Sequence, residues 1–172
     1  MTQPAGHPDY AAVFDLPWGR VGVQATPDTL IAVSFLASDQ PLQAPANPLA
    51  AAAKAQLSAY GRNPGTVFDL PLVAPATFFQ ARVRTALLNL PVGTTLSYGR
   101  LAQYLGTAPR AVAAACRRNP LPLIVPCHRV VAAHGLGGYA GRRVPPWTSL
   151  KSALLTHEGA CLPPDSSHFN RA

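Results

Sequence analysis

The chain has 172 residues, 48% of them hydrophobic, and a formal net charge of +7 at pH 7. That length suits one ordinary domain or two small ones, and the apolar fraction is enough to build a core. No apolar run reaches the roughly eighteen residues of a membrane span, and the opening MTQPAGHPDYAAV has neither the basic start nor the apolar stretch of a signal peptide, so a cytoplasmic protein with no membrane partner is expected. Cys116, Cys127 and Cys161 form no CxxC pair, and their odd number argues against a disulfide scaffold.

The predicted fold is α+β: a small N-terminal antiparallel sheet with a helix, then a mainly helical C-terminal domain. AAVFDLPWGRVGVQA reads as a hairpin turning at Leu16-Pro17-Trp18-Gly19, with Val21, Val23 and Ala25 alternating, and TLIAVSFLA adds a third strand with Ile31, Val33 and Phe35 on one face. A Pro/Ala/Gln-rich loop at 38–47 leads to a helix with Asn47 as cap and Pro48 at its first position, ending at Gly61. TVFDLPL is predicted as one more short strand, and VAPA as the hinge between a domain at 1–75 and a second at 76–160.

From Thr77 the period becomes helical, with Phe79, Val83, Ala86, Leu87 and Leu90 as a buried stripe ended by Pro91 and Gly93. Ser97 caps the next predicted helix, whose apolar face is Tyr98, Leu101, Ala102 and Leu105 and whose end is Gly106. Thr107 caps another, APRAVAAACRRNP. Two short helices joined at Gly106-Thr107 outline a helix-turn-helix. A last helix, TSLKSALLTHEG, carries Leu150, Ala153, Leu154 and His157 on one face and is closed by Glu158, the only glutamate of the chain. Residues 161–172 read as a disordered tail.

Between Arg82 and Lys151 stand Arg84, Arg100, Arg110, Arg117, Arg118, Arg129, Arg142 and Arg143, with no Asp or Glu anywhere in the segment. Surfaces made only for solubility intersperse both signs, so this polycation points to an anionic partner. Arginine suits bidentate phosphate contacts, which favours nucleic acid. In the second helix of the pair, small alanines let the backbone approach a groove while arginines at both ends hold phosphates or probe the base stack.

The stretch LPLIVPCHRVVAAHGLGGY places Cys127 beside His128 and Arg129. A thiolate is the reactive form and free cysteine is mostly protonated at neutral pH, so a neighbouring base is needed. A turn at Pro126 would bring the imidazole to the sulfur directly or through one water, with Glu158 accepting the other ring N–H. Cysteine in such a protein is also commonly a buried hydrophobe. Cys116, Cys127, His128 and His134 lack the paired short intervals of zinc sites, so no metal is expected.

PCHRV at 126–130, preceded by RRNPLPLIV and followed by GLGGYAG and LLTHEG, resembles the O6-alkylguanine-DNA alkyltransferases, also called methylated-DNA–protein-cysteine methyltransferases. The likeness covers residues 78–160 closely and the first half, through FDLPWGRVGV and FDLPL, more loosely. It implies a ribonuclease-H-like N-terminal domain and a cofactor-free DNA-repair enzyme. Such an enzyme binds the minor groove of double-stranded DNA as a monomer, singly or cooperatively, flips out O6-alkylguanine and takes the alkyl group irreversibly onto its own cysteine.

By this resemblance Cys127 is the acceptor, His128 the base acting through water, Glu158 its orienting partner, and Asn119 the tie of the turn that carries Cys127. Tyr98 donates to N3 of the flipped guanine, and Arg110 fills the space that the base leaves. The carbonyls of Cys127 and Val130 read the guanine amino group, Tyr139 lines the pocket, and Ala111, Ala114, Arg117 and Arg118 lie along the DNA. Arg84 stands where many members have tryptophan, Ala140 replaces a common serine, and RRVPPWTS lengthens the loop before the last helix. The alternative is a non-catalytic, alkyltransferase-like lesion sensor; such relatives lack the cysteine. A thiol hydrolase would use the same three side chains but leaves the acid-free arginine segment without a purpose.

Overall fold

In the computed structural model, residues 9–161 are described. The chain divides into two compact units, Met1–Val73 and Ala74–Ala172. The fold is mixed α/β, as predicted, with a three-stranded antiparallel sheet in the first unit and most of the helix in the second. The predicted tail, Cys161 apart, lies outside the described residues.

In the first unit, β1 (Ala12–Leu16) and β2 (Gly19–Ala25) pair antiparallel around a two-residue turn, Pro17-Trp18, which Gly19 closes at φ +132°. β3 (Leu30–Leu36) pairs with β2, but its buried positions are Leu30 and Val33, while Ile31 and Phe35 are only half-buried. The cause is a bulge: Ala32 faces Gln24 and Leu30 faces Ala25, so Ile31 is the extra residue and the side that points inward changes there.

α1 (Pro48–Arg62) begins where Asn47 accepts the Ala50 N–H at 2.8 Å and packs Ala50, Ala53, Leu57 and Tyr60 inward. It runs through Gly61 rather than stopping there. A Cβ on Gly61 would stand 3.0 Å from Pro17 Cδ, so the glycine marks a close approach and not a helix end. Residues 66–72 form no strand; Leu72 makes a single bridge to Leu30, and Pro71 lacks the N–H that a longer ladder would need.

In the second unit, α2 (Phe78–Leu88) is capped by Thr77 and buries Val83 and Leu87. α3 (Tyr98–Leu105) is capped by Ser97, whose Oγ accepts the Arg100 N–H at 3.1 Å, and ends in the left-handed Gly106. α4 (Pro109–Arg117) follows at once and packs on α3. Its cap is Ala108, without a side-chain bond, not Thr107; Pro109 at the first position fixes the start instead.

α5 (Trp147–His157) buries Lys151, Leu154 and Leu155, whereas Leu150 and His157 are half-buried and Ala153 is exposed. The inward stripe is thus rotated from the predicted one. The two-residue strands β4 (Leu96–Ser97) and β5 (Val130–Val131) pair in parallel and tie the segment after the Cys-His pair to the start of α3. No helix among the described residues is long and apolar enough to cross a membrane.

Candidate active site

The chain leaves α4 at Arg118 and is shaped at once by Asn119. Its Oδ1 accepts the Leu121 N–H at 3.1 Å, while its Nδ2 donates to the Val125 carbonyl at 2.9 Å and to Cys127 Sγ at 3.3 Å. Between these anchors Leu123 is held at φ +73° and is almost wholly buried, a conformation that a non-glycine residue keeps only when packing enforces it. Pro126, at φ −80° and ψ 64°, forms an inverse γ-turn closed by the Cys127 N–H on the Val125 carbonyl at 2.8 Å. One 3-10 turn, Cys127–Arg129, then runs into β5. Four hydrogen bonds and one proline therefore aim a single sulfur.

Burial pushes the Cys127 thiol above its ordinary pKa, against smaller opposing effects from the Asn119 hydrogen bond and the Lys151 charge. The resting side chain is a neutral thiol. His128 is wholly buried and shares a 2.8 Å hydrogen bond between Nε2 and Glu158 Oε1. Burial lowers its pKa more than Glu158 raises it, so the ring is neutral, with Nε2–H donating to the carboxylate. That tautomer leaves a lone pair on Nδ1, which is buried and has no hydrogen-bond partner in the protein.

Glu158 holds more than the histidine. Arg129 grips it in a fork, Nε to Oε2 and Nη2 to Oε1, both 2.8 Å, and its Nη1 donates to the Leu90 carbonyl at 2.5 Å. Lys151 is fully buried as well, donating to the carbonyls of Val130 at 2.6 Å and Gly138 at 2.9 Å and standing 5.6 Å from the centre of the Tyr98 ring. Burial pulls its pKa down to about 8. Two charges of the arginine-rich segment, Arg129 and Lys151, therefore serve the interior and not a surface. Sequence reasoning missed this use of both; the one available signal was the lone glutamate, which a buried arginine needs as much as a histidine does.

A cavity of about 790 Å³ opens beside the sulfur. Cys127, Tyr98, Tyr139, Arg110, Ala114 and Arg117 line it, with Cys116 and the glycines of the 137–141 turn. The Tyr98 hydroxyl is held above its usual pKa, mainly by burial, and so remains a proton donor. Arg118 is exposed at the end of α4 and Ala111 is half-buried on it; neither lines the cavity. The Val130 carbonyl, expected to read a guanine amino group, already accepts from Lys151, which leaves its second lone pair. Cys116 is a second buried thiol on the wall, and burial pushes it up to about 12. Chemically, the arrangement offers a shielded nucleophile and a phenol donor on one concavity, with a neutral imidazole that keeps a free basic nitrogen buried on the residue next in sequence to the nucleophile.

Residues 78–160 match the family model described as the 6-O-methylguanine DNA methyltransferase DNA-binding domain. A methylated-DNA–protein-cysteine methyltransferase of Methanosarcina acetivorans is 36% identical over 160 residues, which cover 88% of this chain and 99% of that protein. Among solved structures, Mycobacterium tuberculosis OGT in complex with DNA aligns with a TM-score of 0.71 at 36% identity, over 85% of this chain and 90% of that one. The O6-methylguanine DNA methyltransferase of Methanococcus jannaschii aligns with a TM-score of 0.61 at 27% identity, over 93% and 99%. The resemblance first carried by PCHRV thus extends through both units, and the chain belongs to the methylated-DNA–protein-cysteine methyltransferase family of DNA-repair enzymes.

Proposed function

We propose that this chain repairs double-stranded DNA by moving the alkyl group of O6-alkylguanine irreversibly onto Cys127, one group per protein molecule. The Sγ–carbon bond forms as the carbon–O6 bond breaks. The thiol proton passes through a water molecule to Nδ1 of His128, Glu158 steadies the imidazolium, and the Tyr98 hydroxyl donates to the departing purine. The alkyl carbon cannot be attacked in line inside the duplex, so the nucleotide is flipped into the cavity. Arg110 fills its place, and α4 lies in the minor groove with Ala111 and Ala114 toward the DNA and Arg117 and Arg118 on phosphates. Asn119 acts as a positioning residue for the sulfur, the Cys127 and Val130 carbonyls receive the guanine amino group, and Tyr139 walls the pocket. The resulting thioether is not cleaved by water, since an alkyl thiolate is a poor leaving group, which makes the protein its own consumed reagent.

The observation that carries this reading is the buried pair of His128 and Glu158 with Nδ1 left available, next to a thiol that opens into a cavity shared with Tyr98 and Arg110. Incubation with a duplex holding one O6-methylguanine, followed by intact-protein mass spectrometry and peptide mapping, tests it. A gain of one methylene on Cys127, with equimolar loss of the lesion, is expected for the wild type. Cys127→Ser should bind the duplex and gain nothing. Lesion loss beyond one equivalent would overturn the single-turnover mechanism, and binding by the wild type without a mass change would make the chain a lesion sensor.

A further inference from the structure

The two arginines of the lengthened loop diverge. Arg142 lays its guanidinium over the Trp147 ring, 5.9 Å from the centroid, whereas Arg143 turns to the cavity that holds Cys127 and Tyr98. Its course is set by the glycine turn: a Cβ on Gly138 would stand 3.2 Å from Arg143 Cγ. On the same turn a Cβ on Gly141, at φ +79°, would stand 2.5 Å from Arg117 Cδ, so the stems of both arginines lie across backbone that carries no side chain. Arg143 and Tyr98 line the same cavity, and the Arg143 charge weakly opposes the rise that burial causes in the Tyr98 hydroxyl pKa. No Asp or Glu lines the cavity, and no ion pair among the described residues involves Arg143 or Arg117.

The mouth of the pocket is therefore cationic beyond what a methyl group could use. Arg110 and Arg117 belong to α4 and, in the proposed complex, are taken up by the duplex; Arg143 comes from the loop before α5 and is left over. We infer that Arg143 is a specificity-determining residue that favours O6-alkyl groups bearing a carboxylate, an assignment that rests on the alkyl-transfer reading above. Such an adduct meets repulsion from flanking phosphates and from the sulfur as it gains negative charge. The Arg143 guanidinium, exposed at the rim of the cavity, offsets both and can bind the carboxylate through two parallel N–H donors. In the transfer, Cys127 Sγ bonds to the methylene, the methylene–O6 bond breaks, the carboxylate travels unchanged with the carbon, and the thiol proton ends on the released guanine.

The comparison that isolates the charge uses duplexes with O6-carboxymethylguanine and with its neutral isostere O6-carbamoylmethylguanine, followed as single-turnover transfer to Cys127. The wild type should react faster with the carboxylate, and Arg143→Gln should lower the ratio of the two rates about tenfold, as expected for loss of a charge-assisted hydrogen bond. Arg143→Lys should restore part of the ratio and Arg143→Glu should invert it. Because the neutral isostere is read in the same protein, a general loss of folding cancels. An unchanged ratio overturns the inference; if both rates fall together with duplex affinity and its salt dependence, Arg143 is a phosphate contact instead. Failure of either duplex, and of O6-methylguanine, to modify Cys127 would sink the alkyl-transfer reading itself.

Discussion

The first unit keeps charge out of its interior and the second is built around it. Ala12, Val21, Val23, Leu30, Ala50, Ala53, Leu57 and the Tyr60 ring fill the first core without a charged group, and its ion pair between Asp15 and Arg20 lies beside the β1–β2 turn with the carboxylate exposed. All four buried polar or charged side chains among the described residues, His128, Arg129, Lys151 and Glu158, lie in the second unit. Removing charges from water is costly and a well-packed apolar core would be at least as stable, so stability alone does not explain such a cluster. It does explain how a thiol and an imidazole are held in fixed relation under cover: Glu158 sets the tautomer of His128, Arg129 sets Glu158, and Lys151 ties β5 to the glycine turn through two carbonyls.

The contrast breaks most visibly at Glu158. Glu158→Gln keeps the shape but leaves the Arg129 guanidinium buried without a counter-charge, and the loss should be roughly 3–5 kcal/mol of unfolding free energy, read from urea denaturation. A loss under about 1 kcal/mol would mean that the cluster is solvated and that the two units do not differ in kind. Transfer to Cys127 should fall in the same variant, since the neutral amide no longer stabilises an imidazolium.

Acid separates the units next. The folded pKa of His128 lies below 6.5, chiefly through burial, while an unfolded chain titrates near the ordinary value. As pH drops below 6.5 the unfolded state takes a proton that the folded unit refuses, so the stability present above that pH is lost on the way down through the folded pKa. The same depression keeps Nδ1 basic in mild acid. Single-turnover rates across a pH series should therefore show an acid limb below 6.5, and a limb at or above that value would place the histidine in water rather than in the cluster.

What could be read in advance was local. Ser97, Gly106, Asn47 and Thr77 each announce a helix end by their own chemistry, and the contact between His128 and Glu158 was legible because the chain has one glutamate to offer. What could not be read depends on partners distant in sequence. The inward face of β3 hinges on one extra residue opposite β2, Gly61 is explained only by Pro17 above it, and Lys151 looks like any helix lysine until the carbonyls of Val130 and Gly138 are brought to it. The alternation that suits a strand at 66–72 was real in composition, yet Pro71 sits where a ladder would need a donor.

The smallest effect is expected at the ion pair of the first unit, and there a null result is the informative one. Asp15 and Arg20 face each other across β1 and β2 at 2.8 Å, with the Asp15 side chain more than half exposed. The Arg20 hydrogen bond lowers the carboxyl pKa, but a charge so well hydrated gains little net from its partner. Arg20 also donates to the Ser38 and Gln40 carbonyls, bonds that survive when the carboxylate is lost. Asp15→Asn should leave the unfolding midpoint within error of the wild type, under conditions where Glu158→Gln shifts it plainly. If the midpoint falls as far as in Glu158→Gln, electrostatics matters equally in both units, and the buried cluster can no longer be attributed to the demands of the site.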